Sequence, residues 1–320
     1  MEFWSPFGAA AAILLESIKL LPKNGKLFTS ILVLPVILFS SIFFLIFNFS
    51  YKSLLRDMLV KESFWPISSP TSAEFSTLLA YLRPNFPKLL FVDLSFILGY
   101  FIISFFSKTG AILLSALSYS GKTIYYKDFL LLILQSWKRP FITGFHTTLL
   151  VIGYIYFVLS MASPLLISST MTNLSLAILM GIFAYFFYLY LSVSWILAIV
   201  ISMIEEDCFG IEALGKAGKI VKGKRHHGFI INIIFAVLSA ILFQGFRIMR
   251  GYKWLWLENE KVFGLVLVSL SWVFNMFEVV GFTVLYFQCK KKNGEEIEIQ
   301  IHGDNQYNKL PNTTTLVTDI

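Results

Sequence analysis

Charge is scarce in this 320-residue chain: only 14% of its residues are Asp, Glu, Lys or Arg, against about 25% in a soluble domain. That excludes an ordinary water-facing surface over most of its length. Cysteine is scarcer still, with Cys208 and Cys289 alone. Both fall just past apolar segments on the side assigned below to the cytosol, which argues against a disulfide. Chemistry-bearing motifs are missing too. There is no HExxH, no serine nucleophile elbow, no phosphate loop and no dense acidic cluster to cage a metal. The sequence therefore calls for no cofactor and no metal, and it gives no sign of an enzyme.

Apolar residues are abundant, at 57%. They are gathered into runs of about 20, the length that crosses a hydrocarbon core of roughly 30 Å at about 1.5 Å per residue. The fold class expected is all-α: a polytopic membrane bundle of six transmembrane helices with interfacial amphipathic helices. The spans are placed at 27–49 (kinked at Pro35), 89–106, 141–161, 174–204, 228–249 and 262–288. Ser107 to Gly110 reads as an interruption after the second span, leaving 111–119 either to extend that helix or to lie at the surface. Pro164 reads as the break after the third. The domains are then 1–26, an N-terminal interfacial helix; 27–289, the membrane domain; and 290–320, a disordered tail. No cleavable leader is evident, so the first span is expected to be retained. The wealth of aromatics, 33 Phe and 14 Tyr, reads as lipid-facing and packing surface.

Three stretches read as interfacial helices: 6–21, 128–139 and 210–223. In the last, Ile211, Ala213, Leu214, Ala217, Ile220 and Val221 share about half the circumference, with Glu212, Lys216, Lys219 and Lys222 opposite. Lys216, Lys219, Lys222, Lys224 and Arg225 form the basic stretch that would meet anionic headgroups. His226 and His227 belong with it as headgroup contacts, because adjacent histidines point in different directions on a helix and make a poor metal site.

Orientation follows from counting Lys and Arg. Segments on the side of the two termini carry 17 and those on the other side carry 8, with Arg247 inside the fifth span. The positive-inside rule puts both termini in the cytosol. The net charge of +7 is scattered over several loops, which favours a lipid bilayer with anionic headgroups as partner, together with cytosolic adaptor proteins, over nucleic acid. The sequons at Asn48, Asn173 and Asn312 are expected to stay unused.

A charge inside a bilayer costs about 2.5–3.5 kcal/mol or more, so each one needs a reason. Asp93 and Arg247 fall at similar depth, and an ion pair between them is one candidate. Glu278 sits near the middle of the sixth span with Asn275 one turn earlier, and His146 lies in the third span. These three are a candidate intramembrane polar site able to bind a cation or relay a proton, against the plainer reading of Glu278 as a packing residue. Cys289, followed by three lysines, is a candidate for S-acylation. Tyr307 and Leu310 match a tyrosine-based sorting signal.

The segment 202–232 (SMIEEDCFGIEALGKAGKIVKGKRHHGFIIN) has an acidic end to a span at Glu205 and Glu206, then Gly210, Ala213-Leu214, Lys222-Gly223 and the next span. In this it resembles a plant family of multi-span membrane proteins of unknown function. More remotely it is similar to the membrane region joined to some bacterial glycerophosphodiester phosphodiesterases. Stretches 17–37, 136–149 and 282–298 fit the plant family as well. The resemblance implies six spans with interfacial elbow helices. It does not imply phosphodiesterase activity, which belongs to a separate soluble barrel. Three readings of function follow: a membrane scaffold or adaptor that organises lipids or partner proteins, a transporter or channel-like carrier built around Glu278, and an enzyme acting on lipid within the membrane.

Overall fold

The computed structural model describes residues 5–20, 25–29, 33–46, 73–122, 124–167, 170–251 and 260–293. Among these residues the fold is all-helical. The helices are α1 (Ser5–Leu20), α2 (Gly25–Phe28), α3 (Leu34–Ile46), α4 (Ala73–Tyr119), α5 (Tyr126–Ser136), α6 (Lys138–Ile167), α7 (Met171–Ile204), α8 (Ile211–Ile220), α9 (Arg225–Gly251) and α10 (Glu260–Lys292). A short 3-10 turn, Val221–Gly223, joins α8 to α9.

Among the described residues five helices contain stretches long and apolar enough to cross a membrane: Phe101–Tyr119, Lys138–Leu165, Met171–Ile204, Arg225–Gly245 and Ser269–Lys292. The sixth expected span, 27–49, lies partly outside the described residues. Its described part is α2 and the 13-residue α3, with Pro35 in the first turn of α3, where a missing N–H does no harm.

The second span differs from expectation. Ser107 to Gly110 interrupts nothing, because α4 runs unbroken from Ala73 to Tyr119. Thr109 turns its hydroxyl back to the Phe105 carbonyl at 2.8 Å, a bond that lets a polar side chain stay inside a helix. The segment 111–119 extends the same helix, and Ala111, Ile112, Ala116 and Leu117 are buried in the core. Phe101–Tyr119 of this helix is long and apolar enough to cross, and it overlaps the expected 89–106. Pro164 likewise does not break α6, which continues to Ile167. The helix expected at 128–139 starts slightly earlier: Tyr125 takes the cap position, and Asp128 lies in the first turn of α5, where its charge suits the helix dipole.

The long helices alternate in direction. Tyr119, closing α4, stacks on Phe287 near the end of α10 with ring centroids 4.5 Å apart. Glu205, capping α7, reaches Lys290 of α10. Arg139, opening α6, lies 3.9 Å from Glu206. The chain just before α9 reaches Gln288 through Lys224. One end of the bundle therefore gathers the C-termini of α4, α7 and α10 with the N-termini of α6 and α9. Lys290, Lys291 and Lys292 lie there, so we call it the basic end.

The packed core sits toward that end. Val193, Leu197 and Ile201 of α7, Ile231 of α9, and Val280, Phe282 and Leu285 of α10 are fully enclosed. A glycine makes one crossing possible: a Cβ on Gly228 would lie 2.6 Å from Val193 Cγ1 and 3.2 Å from Leu285 Cδ2. α9 approaches α7 and α10 more closely there than any other residue would permit. Away from the basic end the helices bare their apolar side chains: Phe183 is 73% and Leu179 64% exposed. Large apolar side chains displayed on α6 and the first half of α7, away from the face where Tyr154 packs on Phe187 and Tyr188, mark a surface made for hydrocarbon.

Candidate functional site at the basic end

The site begins where α7 stops. Glu205 leaves the helix with extended backbone (φ −101°, ψ 129°) while its N–H still bonds Ile201. That break turns the carboxylate back toward α8 and α10. Oε2 accepts a 2.6 Å hydrogen bond from Lys216 Nζ. Oε1 accepts a 2.7 Å hydrogen bond from the hydroxyl of Tyr286, a fully buried side chain, and lies 3.6 Å from Lys290 Nζ. Burial alone would push this carboxyl up. The Lys216 and Tyr286 hydrogen bonds and the charges of Lys216 and Lys290 outweigh burial and hold it below the usual carboxylate range. A charge set in a half-buried site with three partners is a structural clamp, since each carboxylate oxygen accepts a hydrogen bond from a fixed donor.

Around this clamp the connection from α7 to α8 is pinned. Gly210, at φ 65°, adopts backbone that other residues enter only with strain. Its N–H donates to the buried Thr143 Oγ1 of α6 at 2.8 Å. The position of its missing Cβ faces Ile142 and the His146 ring. α8 then lays Ala213, Ala217 and Ile220 into the bundle. Cys208 sits in the same connection, where burial and then the Glu205 carboxylate push its thiol up, which keeps it protonated and unreactive.

The basic stretch divides. Lys219 and Lys222 are exposed. Lys216 turns inward to Glu205, and Lys224 reaches the carbonyl and the side chain of Gln288 at 3.5 Å. Arg225 turns inward as well. It donates to Ser194 Oγ at 2.6 Å and to the Tyr190 hydroxyl at 3.3 Å, and stands 4.6 Å over the Tyr190 ring. Two turns further along α9, Asn232 donates to the Leu189 carbonyl and Ser192 Oγ at 2.8 and 2.7 Å. These bonds make a polar seam between α7 and α9. Gln288 also donates to Glu16 of α1 at 2.8 Å, which ties the N-terminal helix into the bundle beside α9, α10 and α4.

The intramembrane trio does not meet as a group. His146 lies beside Gly210 at the basic end, with Nδ1 2.8 Å from the Ile142 carbonyl. Asn275 donates to the Ser271 carbonyl of its own helix at 2.8 Å. Glu278 faces Lys108 of α4 and Tyr188 of α7 instead, close enough for electrostatic interaction with each. The register agrees. With Tyr119 stacked on Phe287, stepping back eleven residues along these parallel helices brings Lys108 level with Met276, half a turn from Glu278. Cys289 is only 2% exposed and points into the core. Among the described residues no group of His, Cys, Asp and Glu has the arrangement of a metal site. The side chains of Asp93 and Arg247, and the Tyr307 to Leu310 signal, lie outside the described residues.

The sequence reading placed neither Lys108, Thr143, Tyr190, Ser194, Asn232 nor Tyr286 in any site. Asn232 and Lys108 carried a signal, each being a strongly polar residue in an apolar stretch. The others are ordinary hydroxyl residues whose roles exist only once helices meet.

A family profile matches residues 7–308, from within α1 to beyond α10. The chain belongs to the DUF8558 family, a domain of unknown function. The family domain thus takes in the whole basic-end assembly, including the α1 contact through Glu16 and the α7–α8 connection. No curated protein and no solved structure matches the chain.

Proposed function

We propose that this is a multi-pass membrane protein that works as a scaffold, not as an enzyme, holding a rigid basic platform against an anionic leaflet. In this reading the basic end is cytosolic, the segment 27–49 supplies a sixth span, and α1, α5 and α8 lie in the interface. The observation that carries the reading is the division of the cations. Lys216, Lys290, Lys224 and Arg225 are spent on clamping α8 and α9 to the spans, while Lys219, Lys222, Lys291 and Lys292 stay exposed around the same corner. Lys292 Nζ lies 3.6 Å from where a Cβ on Gly223 would be, so the end of α10 and the turn after α8 present their lysines together. Such a cluster draws anionic headgroups at about 1 kcal/mol per cation near the surface. The resemblance to plant multi-span proteins, and remotely to the phosphodiesterase-associated membrane region, fits the elbow arrangement and adds no catalytic group.

The test is thermal unfolding of the purified protein in vesicles of phosphatidylcholine with and without phosphatidylserine. Phosphatidylserine raises the midpoint for the wild type, and replacing Lys219, Lys222, Lys291 and Lys292 by Gln removes the increase. An equal midpoint in both lipids for the wild type contradicts the proposal.

A second reading, a carrier, draws on the facing of Lys108 and Glu278 between α4 and α10. It requires a polar path to that pair from one side, and solute or proton flux in proteoliposomes that Glu278→Gln abolishes.

A further inference from the structure

One pair of charges stands apart from the Glu205 clamp. Lys108 on α4 lies about 16 Å below the basic end and Glu278 on α10 about 21 Å below it, counted along their helices from Tyr119 and Lys292. Both depths are near the middle of a hydrocarbon core of roughly 30 Å. Charges at such a depth face a bundle interior or a polar cavity, and they mark paths for substrates and ions. The stack of Tyr119 on Phe287 sets the two helices in register, and the two charges are close enough to interact electrostatically. They are not in contact. The ion pairs of the basic end close to 2.6, 3.6 and 3.9 Å. Among the described residues, neither Lys108 nor Glu278 has a hydrogen bond or an opposite charge within 4.0 Å. Both are half-buried, whereas Ser107, Thr109, Met276 and Val279 beside them are buried. An ammonium and a carboxylate that are in range, out of contact and partly exposed leave room between them for a small group. Tyr188 of α7 forms a third side and interacts electrostatically with Glu278. Its ring is held between Tyr154 and Trp195, with centroids 6.1 and 5.8 Å away. A phenol ring beside a carboxylate suits a cationic group.

We infer that Lys108, Glu278 and Tyr188 form a binding site for a small zwitterion, an amino-acid-like molecule whose carboxylate meets Lys108 and whose ammonium meets Glu278 and Tyr188. The inference rests on the membrane-spanning reading above and deepens the carrier reading of the same pair. The site holds one charge of each sign. A simple cation matched to Glu278 meets the repulsion of Lys108, and a simple anion matched to Lys108 meets that of Glu278. A molecule carrying both charges satisfies both residues at once. It also brings no net charge into the hydrocarbon, where an uncompensated charge is costly.

The test is thermal unfolding of the purified full chain in detergent, with glycine, β-alanine and γ-aminobutyrate as probes and butyrate and butylammonium as single-charge controls. A ligand that binds only the folded chain raises the midpoint as its concentration rises. At least one of the three zwitterions raises it, and neither control does. Lys108→Gln and Glu278→Gln each abolish the rise. Should either variant not fold, Lys108→Met with Glu278→Leu takes its place and shows no rise. No rise with any of the three probes overturns the site, and so does a rise with butyrate or butylammonium equal to that with γ-aminobutyrate. A rise that persists in the variants puts the zwitterion elsewhere and overturns it too. Flux in proteoliposomes separates the site from the carrier reading. Zwitterion binding without flux keeps the site and removes the carrier. Flux that Glu278→Gln abolishes, with no zwitterion bound, keeps the carrier and removes the site.

Discussion

The hydroxyl of Tyr286 donates a 2.7 Å hydrogen bond to Oε1 of Glu205, across 81 residues of sequence. This bond, with Lys216 on the other oxygen, fastens the end of α7 to both α8 and α10. A hydrogen bond to a charged group contributes about 1.5–3 kcal/mol, so Tyr286→Phe is expected to lower unfolding free energy by about that amount in detergent denaturation. Glu205→Leu is expected to cost more, because it leaves the poorly exposed Lys290 without its counter-charge.

The Glu205 clamp also sets a pH dependence. Its carboxyl is held below the usual carboxylate range, by Lys216 and Tyr286 against the opposing effect of burial. A group whose folded value is lowered stabilises the fold above its unfolded value and loses that contribution as pH falls through the folded one. Acidification below the ordinary carboxylate range therefore destabilises the wild type. Glu205→Gln starts less stable and shows a flatter acid dependence, readable from midpoints across a pH series.

Gly210 has two supports that separate by mutation. Gly210→Ala forces a Cβ into positive-φ backbone, a strain of about 1–3 kcal/mol. Thr143→Val leaves the backbone alone but removes the acceptor of the buried Gly210 N–H, at about 1–3 kcal/mol. Both are expected to loosen the α7–α8 connection, seen as faster proteolysis between Ile204 and Ile211 with the spans intact.

The tight crossing of α9 gives a compensating pair. Gly228→Ala drives a methyl group against Val193, and overpacking of this kind costs about 1–3 kcal/mol. Adding Val193→Ala opens the space and is expected to recover most of the loss in the same unfolding assay.

Lys108 and Glu278 are predicted to act as one unit. The two lie close enough to interact electrostatically, so Lys108→Met with Glu278→Leu is expected to cost less than the sum of the two single replacements. Independent, additive losses in the two single variants would show that the residues do not interact.

Much of the fold was legible because lipid imposes a length and a composition on any helix that crosses it. The stretches containing α6, α7, α9 and α10 were read from apolar runs, and α8 from its one-sided pattern. The sequence left 111–119 either in the second helix or at the surface, because Lys108 looked like the end of a crossing segment. Its cost looks prohibitive until Glu278, on a helix 170 residues later, is brought alongside. Pro164 misled in the same way, since a proline removes one donor but a helix near its end tolerates that loss. The site was less legible. Glu205 was visible as the acidic end of a span, but Tyr286 and Thr143 look like any other hydroxyl in an apolar run. Arg225 was counted with the headgroup cations, and only the approach of α7 shows that Tyr190 and Ser194 claim it.

The account depends most on the bared apolar surface of α6 and α7 being covered by hydrocarbon. Single cysteines at Leu150, Phe183 and Lys219, in a chain whose Cys208 and Cys289 are replaced by Ser, can be challenged in native membranes with a membrane-impermeant maleimide. Leu150 and Phe183 are 46% and 73% exposed and Lys219 is exposed on the basic face. The expected result is labelling at position 219 in opened membranes and none at 150 or 183 until detergent is added and the protein unfolded. Equal labelling of all three positions in intact bilayer would contradict it.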